Sequence, residues 1–231
     1  MKKVSFLVVA ISLIVSATSC RSTCGNANLK TEIDSMSYAI GVSNGDMFSQ
    51  SLKNIPGGEL NIDALIAGFV EALKEKETKM TTEEAQEFLN TYFTNVTERE
   101  ATKNKEEGEK FLAENKNRNG VITTASGLQY EIITEGTGKK PTANSKVKVD
   151  YHGTLLDGTV FDSSVDRGTP AEFGVGQVIP GWTEGLQLMS EGSKYLFWIP
   201  SDLAYGERGA GGQIKPNAAL IFEVELFSVE D

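Results

Sequence analysis

Few side chains in this sequence are suited to making or breaking a covalent bond. It has one histidine, His152, and both cysteines, Cys20 and Cys24, lie within the first 24 residues. Zinc clusters, cysteine–histidine nucleophile pairs and serine–histidine–aspartate triads therefore lack partners. What the chain concentrates instead is aromatic. Both tryptophans and most of the aromatic residues follow Val121, among them Tyr151, Phe161, Trp182, Tyr205 and Phe222, with Asp162 directly after Phe161. Such a set can enclose an apolar substrate and hold one carboxylate beside it. Plainer readings stand next to this one. Trp182 and Phe222 also fit a core, and Asp162 in Phe-Asp-Ser-Ser also fits an Asx turn. Tyr205, in a glycine-flanked loop, fits a core least.

A formal charge of -10 argues against a nucleic-acid partner, because neutralising phosphates requires a basic face. The glycine motifs are weak: Gly209-x-Gly211-Gly212 lacks dinucleotide-binding spacing, and Gly136-x-Gly138-Lys139 lacks the rest of a phosphate loop. His152 neighbours Tyr151 on a predicted strand and so points to the opposite face.

The elements that must position the aromatic set alternate with period two. Leu128, Tyr130 and Ile132 do so, as do Val147, Val149, Tyr151, Gly153 and Leu155, and again Leu220, Phe222, Val224 and Leu226. One short helix over Trp182–Met189 interrupts them, with Trp182, Leu186 and Met189 on one face. An antiparallel sheet packed over that helix buries the single apolar face of each.

The preceding ninety residues read as helical. Ile33, Met36, Ile40, Met47 and Phe48 recur at roughly helical spacing, although Gly41 and Gly45 weaken the case for one unbroken helix. Leu65, Ile66, Phe69, Val70 and Leu73 form a second apolar face, and helices this short need a partner, either each other or a second chain. Thr81-Thr82-Glu83-Glu84 matches a capping box. From there a helix reaches Arg118 if unbroken, with Gly120 as its C-terminal cap. Between Thr97 and Lys110 the only hydrophobe is Ala101. Such a stretch suits a solvent-crossing strut or, given Gly108, a flexible charged linker.

Residues 1–19 carry a targeting signal: Lys2 and Lys3, an apolar run from Val4 to Val15 too short to span a bilayer, then small residues leading into Cys20. This resembles a bacterial lipoprotein signal, which implies acylation of Cys20. An ordinary secretory signal is the alternative, and Cys24 competes for the same role.

Four ordered blocks carry a second resemblance. They are Val147-x-Val149-x-Tyr151-x-Gly153-Thr154-Leu155-x-Asp157-Gly158-x-x-Phe161-Asp162-Ser163-Ser164, Gln177-Val178-Ile179-Pro180-Gly181-Trp182, Ile199-Pro200-x-x-Leu203-Ala204-Tyr205-Gly206, and Leu220 to Leu226. Together they resemble an FKBP-type peptidyl-prolyl cis/trans isomerase domain. The helical module before them, with Ser37-Tyr38-Ala39-Ile40-Gly41, is similar to the macrophage infectivity potentiator-like subgroup.

The resemblance implies an α+β chain: an N-terminal all-α dimerisation module, a long linking helix, and an antiparallel sheet wrapped around one short helix. The expected divisions are a signal at 1–19, a tether at 20–30, a dimerisation and chaperone module at 31–80, the linking helix at 81–119 and the isomerase domain at 120–231. It further implies a catalytic set of Asp162, Tyr205 and Tyr151, with Arg167 helping to orient Asp162, and a substrate-binding set of Phe161, Val178, Ile179, Trp182, Ile214 and Phe222. No metal or other cofactor is needed, since the reaction breaks no bond. The implied partners are proline-containing exported polypeptides, a second copy of the chain, the membrane through a lipid anchor at Cys20, and macrolide inhibitors. The implied location is the bacterial cell envelope, at the outer membrane facing the periplasm. Ala171, where many relatives carry an aromatic, a short Val175–Val178 connection and the polar Gln213 beside Ile214 depart from the pattern and bear on substrate preference and macrolide affinity.

Overall fold

The computed structural model describes residues 27–53 and 55–230. The expected signal, Cys20, Cys24 and the first part of the tether lie outside the described residues. The chain divides into two compact units, one ending at Ile55 and one beginning at Pro56.

In the first unit, helix α1 spans Glu32–Leu52 and runs unbroken through Gly41 and Gly45. Thr31 opens it with a capping box: its hydroxyl accepts the Asp34 amide at 3.1 Å, and the Asp34 carboxylate accepts the Thr31 amide at 3.0 Å. No residue of α1 is buried, and Ile33, Met36, Ile40 and Met47 are all more than half exposed.

The second unit begins with α2 (Ile62–Leu73), capped by Asn61, whose Ile66, Phe69, Val70 and Leu73 are likewise exposed. Helix α3 follows over Thr82–Asn115, 34 residues and so roughly 51 Å long. The expected capping box is present, with the Thr81 hydroxyl accepting the Glu84 amide and the Glu84 carboxylate accepting the Thr81 amide.

The polar half of α3 is the continuous helix expected, not a flexible linker, but one side of it is shielded and not solvated. Ala101, Asn104, Gly108, Phe111, Leu112 and Asn115 are the shielded positions between Ala101 and Asn115, and their spacing of three and four residues makes one stripe. Gly108 is buried because the helix lies directly on the sheet domain there. A β-carbon on it would stand 3.2 Å from the Ala219 methyl, so this glycine is a point of close approach. The helix also ends earlier than Arg118. Gln129 Nε2 takes the Leu112 carbonyl at 2.9 Å, and Asn115 Nδ2 donates to Gln129 Oε1 at 2.9 Å. The Leu112 carbonyl is thus satisfied by the sheet, those of Ala113, Glu114 and Asn115 by the turn over residues 116–118, and Gly120 serves a later turn at φ 88°.

That sheet comprises β1 (Ile122–Thr123), β2 (Gln129–Thr134), β3 (Lys146–Leu155), β4 (Val160–Ser163), β5 (Ala171–Gly174), β6 (Lys194–Ile199) and β7 (Leu220–Glu230). The order is β1-β2-β6-β7-β3-β4, with β5 also on β3, and every pairing is antiparallel. β5 pairs the first half of β3 and β4 the second, so both share one edge. Two helices, not one, interrupt the strands: α4 (Ser164–Arg167) between β4 and β5, and α5 (Pro180–Leu188) before β6. Pro180 at the first position of α5 supplies a backbone angle already suited to a helix. The α5 face of Trp182 and Leu186, with Met189 just beyond it, packs into one core with Val147, Val149, Val224 and Leu226.

Filling the close approach at Gly108 should separate α3 from the sheet domain. Gly108→Leu is expected to lower stability by about 1–3 kcal/mol through overpacking, measured as a lower urea midpoint with an unchanged slope. An unchanged midpoint would show that the helix does not bear on Ala219 in solution.

Candidate active site

The site grows out of alternation on β3 and β7. Tyr151 pairs with Val224 and Gly153 with Phe222, so the Tyr151 and Phe222 side chains emerge on the buried face. Gly153 has to lack a side chain. A β-carbon there would lie 2.7 Å from the Phe222 ring and 2.9 Å from Phe161. Its absence lets those rings meet edge to face at 5.3 Å.

Trp182 closes the floor from α5. Its ring meets Tyr151 at 5.3 Å, Phe173 at 5.6 Å and Phe222 at 5.2 Å, all edge to face, an arrangement that favours aromatic pairs by about 0.5–1.5 kcal/mol each beyond burial. Its indole N–H is buried without a hydrogen-bond partner. Leaving such a donor unpaired costs about 1–3 kcal/mol, which sets this floor apart from an ordinary core. Val178 and Ile179 form the adjoining wall, and the Ile179 carbonyl is held by the Trp182 and Thr183 amides at 2.9 and 3.0 Å. Opposite them, the loop after β6 brings Tyr205 and Ile214 to the cavity.

All nine side chains expected at the site border this one cavity of about 610 Å³. Gln213, expected beside Ile214, lines it too, whereas sequence reasoning missed Phe173, Gln177, Ala210 and Gly211 on its walls. Phe173 is placed only by the strand register. Ala171 and Phe173 pair with Val149 and Val147, so both lie on one face of β5, and the aromatic absent at 171 is supplied two residues on. The other three carry no hydropathy signal.

The polar edge is built by α4. Ser163 caps it, accepting the Asp166 amide at 3.1 Å, and Gly168 ends it in the left-handed conformation at φ 68°. Asp162 is therefore not an Asx-turn residue. Its carboxylate accepts the Tyr151 hydroxyl at 2.5 Å on one oxygen and an Arg167 guanidinium N–H on the other. Arg167 also donates to the Tyr151 hydroxyl at 2.8 Å and lies 5.5 Å over its ring. Ser164 Oγ accepts the Tyr151 amide at 2.8 Å and donates to Asp150 at 2.7 Å, tying α4 to β3. His152 lies outside the cavity, its Nδ1 3.0 Å from Ser163 Oγ.

These contacts set the protonation states. Partial burial alone would raise the Asp162 carboxyl, but the bonds from Tyr151 and Arg167, with the arginine charge, outweigh it and hold the group below its ordinary value of 3.8. Burial, then the Asp162 charge, pushes the Tyr205 hydroxyl up, so it remains a donor near neutrality. Burial and the bond to Asp162 raise Tyr151 as well, against the opposing effect of Arg167. Among the described residues, the cavity lining contains no serine, cysteine, histidine or lysine. An apolar box with hydroxyl donors and one ion-paired carboxylate suits conformational work on a bound apolar group better than bond cleavage.

A carboxyl with a depressed pKa stabilises the fold above its unfolded pKa and loses that contribution as pH falls through the folded value. Asp162 should stay ionised throughout the pH range 5–8, with its contribution lost only below about pH 4. Arg167→Met removes the arginine bond and charge and should move the Asp162 pKa upward, read from the carboxyl ¹³C shift. An Asp162 titration identical in parent and variant would remove Arg167 from the site.

Comparison with known proteins agrees with this geometry. A family model described as "FKBP-type peptidyl-prolyl cis-trans isomerase" matches residues 137–227, and one described as "Domain amino terminal to FKBP-type peptidyl-prolyl isomerase" matches 33–132. The FKBP-type peptidyl-prolyl cis-trans isomerase FkpA of Aeromonas hydrophila is 43% identical, covering 99% of this chain and 94% of its own. The outer membrane protein MIP of Legionella longbeachae is 40% identical, covering 99% and 98%. The crystal structure of FkpA from Escherichia coli superposes with a TM-score of 0.66 at 37% identity, covering 87% of this chain and 98% of that one. The chain belongs to the FKBP-type peptidyl-prolyl cis-trans isomerases, enzymes that speed rotation about the peptide bond preceding proline.

Proposed function

We propose that the cavity around Trp182 is where this isomerase acts, that Asp162, Tyr205 and Tyr151 carry the reaction, and that Phe161, Val178, Ile179, Trp182, Ile214 and Phe222 hold the proline ring. The observation that carries the reading is an open aromatic box with one ion-paired carboxylate at its edge. Rotation about an X-Pro bond faces a barrier of about 18–20 kcal/mol set by amide resonance, and no bond is broken. The planar amide owes part of its stability to charge separation, which water favours. Transferring the amide into an apolar enclosure lowers that advantage, and each 1.4 kcal/mol gained by the twisted form speeds rotation about tenfold.

The Ile179 amide and the Tyr205 hydroxyl take substrate carbonyls and fix the peptide on either side of the twisting bond. Asp162, held by Tyr151 and Arg167, stands by the amide whose carbonyl rotates. Macrolide inhibitors occupy the same box, with Phe173 replacing the aromatic absent at Ala171.

The apolar residues exposed along α1 and α2 support a second role. These faces pair with a second copy of the chain, and the resulting helical cleft holds unfolded exported polypeptides while their prolines isomerise. A lipid on Cys20 anchors the dimer in the cell envelope, a location supported by the name of the Legionella relative.

The first test is cis/trans exchange in an Ala-Leu-Pro-Phe peptide, followed by NMR. Tyr205→Phe should lower kcat/KM by roughly two- to tenfold and Asp162→Leu by about 10- to 100-fold. Parent-like activity in both variants would remove the assignment of this pocket. Cys20→Ala should move the protein from the membrane to the soluble fraction, and continued membrane association would move the anchor elsewhere.

A further inference from the structure

The loop between Leu203 and Leu220 carries Tyr205, Ala210, Gln213 and Ile214 to the edge of the cavity. Its own bonds make it a closed unit. Ala210 and Ile214 exchange backbone hydrogen bonds of 2.8 and 3.0 Å, and the Asn217 amide donates to the Gly206 carbonyl at 2.9 Å. The outer side of this unit is bonded to α3. Asn104 Nδ2 donates to the Pro216 carbonyl at 2.9 Å, and Asn217 Nδ2 donates to the Ala101 carbonyl at 3.4 Å. One helical turn beyond Asn104, Gly108 rests against Ala219 where the loop enters β7.

Asn217 joins the two sets of bonds. It sits at φ 58°, in the left-handed region that asparagine tolerates better than most residues. There its backbone closes the loop while its side chain reaches the helix. Ala101, Asn104 and Gly108 fall on one face of α3, so the helix presents one edge along the base of the loop.

We propose that α3 acts as a splint for this loop. Asn104 and Asn217 are positioning residues that keep the loop closed over the proline pocket, so the linking helix sets affinity for proline peptides without touching them. The inference rests on the site assignment proposed above. A loop that spends part of its time open binds with an affinity reduced by the fraction closed, and the bound complex then reacts as before. The predicted effect therefore falls on KM and spares kcat.

The test uses the full chain and two substitutions. Asn104→Ala removes one bond. Asn217→Gly deletes the other side chain while keeping a residue suited to the left-handed backbone. KM and kcat for an Ala-Leu-Pro-Phe peptide are measured with hydrogen exchange of the Ile214 amide, which reports on the loop itself. Either variant should raise KM roughly two- to tenfold, the shift expected from one neutral hydrogen bond, with kcat within about twofold of the parent and faster Ile214 exchange. A role confined to fold stability would lower the melting temperature and leave KM in place, and that result overturns the splint. So does a fall in kcat at unchanged KM. Tyr205→Phe and Asp162→Leu, measured alongside, separate the two readings: parent-like activity in both sinks the pocket assignment, whereas a clear effect with unchanged KM in both asparagine variants sinks the splint alone.

Discussion

The Trp182 indole is wedged edge-on among Tyr151, Phe173 and Phe222, and the other parts of the site take their places around it. It brings one helix against rings from three strands, β3, β5 and β7. Its neighbour Ile179 is fixed by the same first turn of α5, through bonds its carbonyl accepts. Tyr151 serves twice, with its ring in this cluster and its hydroxyl on Asp162. The apolar floor and the polar edge of the pocket therefore meet at Tyr151, and Arg167 from α4 completes the hold on Asp162.

How far the sequence revealed this depended on the kind of interaction. Alternation on β3 and β7 and the Pro180–Trp182 turn were legible because burial leaves a period of two or of 3.6 in hydrophobic residues. The ordered blocks extended that to every side chain of the substrate set except Ile214, which lies between the third block and the fourth. Phe173 was missed because its strand is four residues long, too short to display a pattern, and only its register against Val147 shows which face it occupies. Helix α4 is one turn long and was invisible for the same reason.

The largest misreading concerned α3. Its shielded stripe is made of alanine, asparagine and glycine as much as of hydrophobes, so hydropathy marks it as solvated from Thr97 to Lys110. Docking there comes from side-chain amides meeting backbone carbonyls and from a missing β-carbon at Gly108. Such contacts have the helical period without its usual residue types. Glycine, read as a sign of flexibility, marked a close approach of the helix to Ala219.

The strand order bears on the order of synthesis. β7 lies between β6 and β3 at the middle of the sheet, yet of the seven described strands it is the last in the chain. Before it is in place, β3 has only its β4 and β5 edge, β6 has only β2, and Phe222 is missing from the box. A ribosome releasing the chain from its N-terminus can form α1, α2 and much of α3 at once, since their hydrogen bonds are local. The catalytic sheet has to wait for residues beyond Leu220 and then pair strands far apart in the chain, the slow class of folding step. The isomerase pocket is thus complete only when the strand that carries Phe222 has emerged after both of the strands it joins.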